Sequence, residues 1–283
     1  MNIICVVSND IFRFKVFINN LPECISNYKL IFVTDPRLGD KIDCFKKLSP
    51  ETDVISSHEV LNEYHNILST TNPNVDKYPL GYKMILPWYI SRKYNLSKLF
   101  LLDDDVILTN KLDYLFENID HPASVVTTFM GSSLGLHGLN STLIKKALSI
   151  NGIESNVVVP YINGGNILFS NDINFDEYIA SVKEYLESDI VTELISKQKY
   201  WWSYYIDEVF FSALFKQYSK HFKGVYDLYK HVKQYVVCPS NVEKHIMDIG
   251  ANIEKYALTH YAPFDTDTLY PQLIKKGYLK GDE

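Results

Sequence analysis

The sequence has few cysteines, and none of them are paired by spacing. Its four cysteines, Cys5, Cys24, Cys44 and Cys238, form no C-x-x-C arrangement, which argues against a zinc ribbon or a dithiol redox centre. Three of them lie in apolar or amphipathic contexts, where a buried structural thiol is the expected role. We therefore expect no cysteine to carry the chemistry.

Long apolar runs and basic clusters are also missing. No stretch reaches the roughly 20 apolar residues that a membrane helix needs, and the short apolar run at the N-terminus has no basic leader before it. We expect a protein that is soluble and cytoplasmic, with no transmembrane segment. The formal net charge of -6 and the absence of a Lys/Arg run exclude the usual footprint of a nucleic-acid partner.

Hydrophobic residues are plentiful, at 46% of the 283 residues, which is enough for one large core. Residues 3–8 and 30–34 are continuous apolar runs, typical of strands buried on both faces of a parallel sheet. A helical pattern between them ends near Pro22, so the chain opens as β-α-β.

Further along, helical patterns cover residues 58–68 and 80–94, and a strongly apolar strand follows at 98–102. Later segments predict strands near 123–128, 166–170 and 256–261, and helices near 140–150, 175–196 and 203–219. This order predicts an α/β fold with a mainly parallel, mixed central sheet flanked by helices.

Three consecutive carboxylates, Asp103, Asp104 and Asp105, follow the strand at 98–102. Ligands of open α/β sheets bind at the carboxyl ends of strands, so the position favours a site. Asp103 and Asp105, at i and i+2, can reach one cation while Asp104 points elsewhere. Carboxylate oxygens suit Mg²⁺ or Mn²⁺, which keep open positions for phosphate oxygens. A solvated acidic turn is the alternative.

The segment LFLLDDDVILTN resembles the DxD motif of GT-A glycosyltransferases, and the surrounding order is similar to glycosyltransferase family 8, the family of glycogenin and bacterial lipopolysaccharide galactosyltransferases. The resemblance spans roughly residues 1–265. It implies a single Rossmann-like GT-A domain over 1–283, with a nucleotide-binding half at 1–110 and an acceptor-binding half with C-terminal elements at 111–283.

The resemblance also assigns donor-binding residues. The start, IICVVSND, is similar to the family's nucleobase-binding strand and turn, and GYKMILPWYI to its helix with a donor-contacting basic residue. YINGGNILF resembles the Asn-x-Gly stretch that approaches the donor sugar, although Asn-Gly-Gly is also an ordinary turn into a strand. The implied donor-binding residues are Val6, Ser8, Asp10, Lys83, Asp104, Asn163, Gly164 and Gly165.

Two later segments supply the implied catalytic residues and the last metal ligand. WWSYYIDEVFF resembles the family's Asp-Gln segment, but Glu208 stands where the family has Gln after the aspartate, here Asp207. Glu208 would stabilise the reacting carbon or act as its nucleophile, or serve as general base in an inverting enzyme. LTHY places His260 as third metal ligand beside Asp103 and Asp105. APFDTDTLY follows it instead of the family's glycine and phosphate-gripping lysine.

The resemblance thus implies an Mn²⁺- or Mg²⁺-dependent hexosyltransferase. Its donor would be a nucleoside-diphosphate sugar, with uridine expected, and its acceptor a hydroxyl of a glycan or protein, with retention. The sugar, the acceptor and the oligomeric state stay open. Two alternatives remain: a non-catalytic nucleotide-sugar-binding scaffold, and a haloacid-dehalogenase-like phosphatase, whose nucleophile would be Asp103. The phosphatase motif normally opens the chain, whereas here it lies about a hundred residues along.

Overall fold

The computed structural model describes most of the first 117 residues and selected parts of the rest. Backbone alone is described at 68, 115, 123–132, 160–163, 170, 232–236, 242, 260–262 and 266–267. The described ranges are 1–8, 10–34, 42–68, 81–117, 123–132, 160–170, 173–189, 191–192, 207, 210–211, 232–236, 242–262 and 266–281.

The described strands form a six-stranded sheet in the order β3-β2-β1-β4-β7-β6 and a three-stranded sheet in the order β5-β9-β8. In the large sheet β1, β2, β3 and β4 are parallel, and β7 is antiparallel to both β4 and β6. The strands are β1 Asn2–Ser8, β2 Lys29–Thr34, β3 Asp53–Ser56, β4 Lys98–Asp103, β5 Val106–Leu108, β6 Ala123–Ser132, β7 Pro160–Ser170, β8 Val232–Val236 and β9 Leu258–Ala262.

Helices connect the strands and cover the sheets. Among the described residues, the 3₁₀ helices Glu23–Asn27 and Ile253–Lys255 add short connections. The described α-helices are α1 Ile11–Asn19, α2 Ile42–Leu48, α3 Ser57–Leu68, α4 Tyr82–Lys93, α5 Leu112–Glu117, α6 Phe175–Leu186, α7 Val242–Asn252 and α8 Thr266–Lys275.

Strands β1 and β4 are apolar between their polar first and last residues because both faces of the large sheet are covered. Alternate residues of these strands enter two different core clusters: Ile3 and Leu99 pack with α4 and α6, whereas Ile4 and Phe100 pack on the side of α1. The apolar runs therefore predicted both strands, and the mixed α/β fold class is confirmed.

Some sequence expectations need correction. The helix predicted over 175–196 is interrupted after Leu186, where Ser188 bonds back to the carbonyl of Tyr185 through both its backbone N–H and its hydroxyl, and helical backbone resumes at residues 189 and 191–192. The alternative that Asn163, Gly164 and Gly165 form a turn into a strand is wrong, since they lie within β7. Short strands such as β3 and β5 were missed. The helix predicted at 140–150, and most of 203–219, lie outside the described residues.

In the part of the chain that the structure describes, no helix combines the length and the apolar character that crossing a bilayer requires.

One buried hydrogen bond ties α6 to α4. The hydroxyl of Tyr178, a residue only 1% exposed, donates to the Met84 carbonyl at 2.6 Å. We predict that Tyr178→Phe lowers the free energy of unfolding by about 1 kcal/mol, because a buried carbonyl loses a partner. Chemical denaturation measures this. The control is Tyr278→Phe, at a tyrosine that is 40% exposed; an equal loss there would contradict the assignment.

Candidate active site

The acidic triplet lies where the two sheets meet. Strand β4 ends at Asp103, and Asp104 and Asp105 form the bend into β5, which begins at Val106. Because β4 runs parallel to β1, the triplet lies at the carboxyl end of both strands. Asp104 and Asp105 are buried, at 4% and 5% exposure. The position is the one that ligands of α/β sheets occupy.

Lys83, in the first turn of α4, is paired with the first carboxylate of the triplet. Its Nζ lies 2.6 Å from Oδ1 of Asp103, and the lysine is only 8% exposed. Burial on its own lowers the pKa of Lys83, but the carboxylates of Asp103, Asp207 and Asp105 more than offset burial and hold that pKa above its ordinary value. The ammonium therefore stays charged.

Asp207 joins this group from a distant part of the chain. It lies in helical backbone and is 3% exposed. Its carboxylate raises the pKa of Lys83 and, after burial, the pKa of Tyr185 in α6. The structure thus brings the carboxylates of Asp103, Asp105 and Asp207 within electrostatic reach of Lys83.

Asp104 turns toward β1. Ser8, the last residue of that strand, donates its hydroxyl to Oδ2 of Asp104 at 2.6 Å. Burial, followed by the charge of Asp105, raises the pKa of Asp104 to about 7, while the Ser8 hydrogen bond and the Arg13 guanidinium act in the opposite direction. Asp104 is thus hydrogen-bonded to β1 and is not part of the Lys83–Asp103 ion pair.

Strand pairing brings the backbone of His260 next to the acidic triplet. Its Cα is the antiparallel partner of Val106, the residue that follows Asp105. Only the backbone of His260 is described. The small sheet therefore brings the predicted third metal ligand beside the triplet, although 154 residues separate it from Val106 in sequence.

The predicted donor residues of β7 lie next to β4. Gly164 and Gly165 are buried in that strand and Asn163 is described by its backbone alone. Asn166, which follows Gly165, is the Cα partner of Leu102, and its fully buried carboxamide has no hydrogen-bond partner among the residues that the structure describes. The sequence analysis did not single out Asn166. The feature that could have indicated it is a polar residue directly before the apolar run ILF.

The remaining predicted residues lie at the edges of the group or outside it. Val6 is fully buried in the core beneath the site, and Asp10 caps α1 by accepting the Arg13 backbone N–H at 3.0 Å. Arg13, which the sequence reasoning missed, follows Asp10 by three residues in that first turn. Glu208 lies outside the described residues.

These residues fit a divalent cation that also binds phosphate. Within the described ranges, no three His, Cys, Asp or Glu side chains gather as a complete metal-binding set. Asp103 and Asp105 supply hard oxygen ligands, and Mg²⁺-type ions often bind through one or two carboxylates plus substrate phosphates. The cluster also carries more carboxylates than cationic groups, so an added positive charge would relieve repulsion.

The Lys83–Asp103 ion pair is predicted to be the main electrostatic support of the metal-free site. Lys83→Met leaves several carboxylates without their cation, so we expect the free energy of unfolding to fall by about 3 kcal/mol. The matched control is Lys93→Met, which breaks the exposed Lys93–Glu59 pair of 2.9 Å and is expected to cost less than about 1 kcal/mol. Equal losses in chemical denaturation would contradict this prediction.

Asp104 is predicted to make stability depend on pH in the presence of a chelator. Its folded pKa of about 7 lies above the ordinary value of 3.8. Between these two pH values, the Asp104 carboxyl is protonated in the native state and ionised in the unfolded chain. Its stabilising contribution is therefore complete at low pH and is lost as the pH rises through about 7.

Denaturation from about pH 5 to about pH 8 tests this. The wild type is expected to lose stability relative to Asp104→Asn over that window, whereas the exposed-site variant Asp43→Asn should follow the wild type. A constant difference between wild type and Asp104→Asn would contradict the assignment.

Comparison with known proteins gives a likeness of fold. No protein-family model and no curated protein matches the sequence. Among solved structures, mouse xyloside xylosyltransferase 1 in its apo form is similar, with a TM-score of 0.52, 12% identity, and 95% of this chain and 99% of that chain covered.

Two further structures align less closely. An active-site mutant of LgtC has a TM-score of 0.47 and 14% identity, and the alignment covers 100% of this chain and 98% of that one. The apo glycosyltransferase GlyE of Streptococcus pneumoniae TIGR4 has a TM-score of 0.42 and 12% identity, with 100% and 65% covered. The likeness to the xylosyltransferase shows that this chain has the GT-A fold of glycosyltransferases, as its motifs predicted.

Proposed function

We propose that the chain is a glycosyltransferase that moves a sugar from a nucleoside-diphosphate sugar to a hydroxyl of a glycan or protein. The observation that carries the proposal is the convergence of Lys83, Asp103, Asp105 and Asp207 at the carboxyl end of β4. UDP is the expected nucleotide, and retention the expected outcome, from the resemblance to glycosyltransferase family 8. The GT-A fold leaves no support for the phosphatase alternative.

The two parts of the chain would bind different portions of the substrates. In residues 1–110, the ends of β1 and β4 and the start of α4 would hold the nucleotide, through Ser8, Asp10 and the groups around the triplet. Residues 111–283 would supply Asn163, Gly164 and Gly165 to the donor sugar and receive the acceptor. Strand β7 supports this arrangement because it pairs directly with β4.

The diphosphate would lie between the triplet and Lys83. A divalent cation, Mn²⁺ or Mg²⁺, held by Asp103, Asp105 and His260 would offset the charge that develops on the leaving nucleoside diphosphate. Lys83 adds a fixed positive charge on the same side, and Asp103 holds it in place. Asp104, turned to Ser8, keeps β1 and the triplet in register.

Asp207 and Glu208 would act on the sugar. Asp207 is buried within electrostatic reach of Lys83, which supports the proposal that it would accept hydrogen bonds from sugar hydroxyls beside the phosphates. Glu208, the next residue, would stabilise the positive charge at the reacting carbon or attack it as a nucleophile. In either role the carboxylate, and not merely a polar side chain, is required.

Metal-dependent nucleotide binding tests the donor site. We predict that the wild type binds a uridine diphosphate in the presence of Mn²⁺, and that Asp105→Ala abolishes this binding while the protein stays folded, since one buried repulsive charge is removed. Isothermal titration calorimetry with Mn²⁺ and with a chelator measures it. The control Asp43→Asn, at an exposed aspartate of α2, keeps wild-type affinity. Unchanged affinity in Asp105→Ala would remove the metal site from the account.

The role of Glu208 is tested separately by turnover. We predict that Glu208→Gln binds the nucleotide sugar normally but releases nucleoside diphosphate from it about a hundredfold more slowly, or slower still. The exposed-site control Glu243→Gln should match the wild type. Equal turnover in Glu208→Gln would refute the role, and binding without any turnover in the wild type would favour the non-catalytic scaffold.

A further inference from the structure

A cavity of about 420 Å³ lies at the end of the large sheet opposite the acidic triplet. Asn2 and Lys98, which are Cα partners at the starts of β1 and β4, form its floor, and Asn27 lies just before β2. Lys98 and Asp103 are five residues apart along β4, which at about 3.3 Å per residue is roughly 17 Å. The cavity is therefore distinct from the candidate active site, and its volume suits a small ligand.

One wall of the cavity is held rigidly. The Tyr28 ring packs against Phe116 with 4.7 Å between ring centroids, and its hydroxyl donates to Asp113. The Lys98 ammonium donates to the backbone carbonyl of Phe116. These contacts fix the shape of the wall before any ligand arrives, which lowers the entropic cost of binding.

Other lining groups are available to a ligand. Asn2, Asn27 and Glu117 line the cavity, and within the described part of the chain their side chains make no hydrogen bond to another residue. Asp113 and Glu117 lie four residues apart on α5, so they project from one face of that helix. The cavity thus offers two carboxamides and a carboxylate, which both donate and accept hydrogen bonds.

The charges of the lining disfavour an anionic ligand. Asp113 and Glu117 carry two negative charges against the one positive charge of Lys98, so the lining would repel an anion such as phosphate. Phe116, the purely apolar side chain of the lining, is 2% exposed, so a hydrophobic ligand gains little contact. A neutral ligand with many hydroxyls fits this lining, because it can use amide and carboxylate groups together.

We propose that this cavity is a carbohydrate-binding site, separate from the site of transfer, which holds one sugar unit of a glycan. The inference that the ligand is a carbohydrate rests on the lining residues alone. That the glycan is also an acceptor of the transferase rests on the proposed function. A glycan bound there would tether the protein near its acceptor.

The test is binding of the full chain to an array of immobilised oligosaccharides, without nucleotide or divalent cation. The cavity variant combines Asn27→Ala with Glu117→Gln, two exposed residues outside the active site. Its matched control combines Asn62→Ala with Glu243→Gln, which are also exposed. A third protein, Lys83→Met, changes the active site alone.

We expect the wild type, the matched control and Lys83→Met to bind the same oligosaccharides, and the cavity variant to bind them about tenfold more weakly, from the loss of hydrogen bonds at two positions. Unchanged thermal unfolding of the cavity variant shows that it is folded, and the less stable Lys83→Met is assayed well below its own unfolding transition. Binding that is lost in Lys83→Met but kept in the cavity variant would overturn the proposal, and so would a wild type that binds no oligosaccharide. Nucleotide binding is measured separately, so either failure leaves the proposed transferase standing.

Discussion

The ion pair between Lys83 and Asp103 is the interaction on which the rest of the site depends. The fold gathers four aspartates at one end of β4, and Asp104 and Asp105 are almost fully removed from water. Carboxylates in such a place repel each other and resist ionisation. Lys83, itself buried, supplies a positive charge in direct contact with Asp103, and its position follows from the start of α4. A cation and a diphosphate would complete the balance of charge that this ion pair begins.

Much of the first half of the fold was predictable because its strands are buried on both faces. The runs IICVVS, LIFVT and LFLLD have no polar interruption, so β1, β2 and β4 were found nearly to their ends. Short strands such as β5 carry too few residues to show a pattern, and their existence depends on partners that are distant in sequence. For the same reason β7 was found only in its apolar second part, although its polar first part pairs with β6.

The site shows a similar limit. A triplet of aspartates after an apolar strand is visible in the sequence, and so is the lysine about twenty residues before it. Their contact at 2.6 Å is a property of how α4 packs on the sheet, which local pattern does not contain. The same holds for Ser8 and Arg13, which act on Asp104, and for the buried Asn166. Their positions near the site depend on how β1, α1 and β7 pack together. Fold and residue types fix where a ligand binds, while the sugar and acceptor depend on finer geometry.

The central claim is that a nucleotide sugar binds at the triplet through a divalent cation, and thermal unfolding with Mn²⁺ across a panel of nucleoside diphosphates and nucleotide sugars tests it most directly. Ligand at about a hundred times its dissociation constant adds about 2.7 kcal/mol of stability to the native state. The account predicts a rise in the unfolding temperature with one nucleotide sugar and its nucleoside diphosphate, which a chelator removes. No rise with any member of the panel would contradict it.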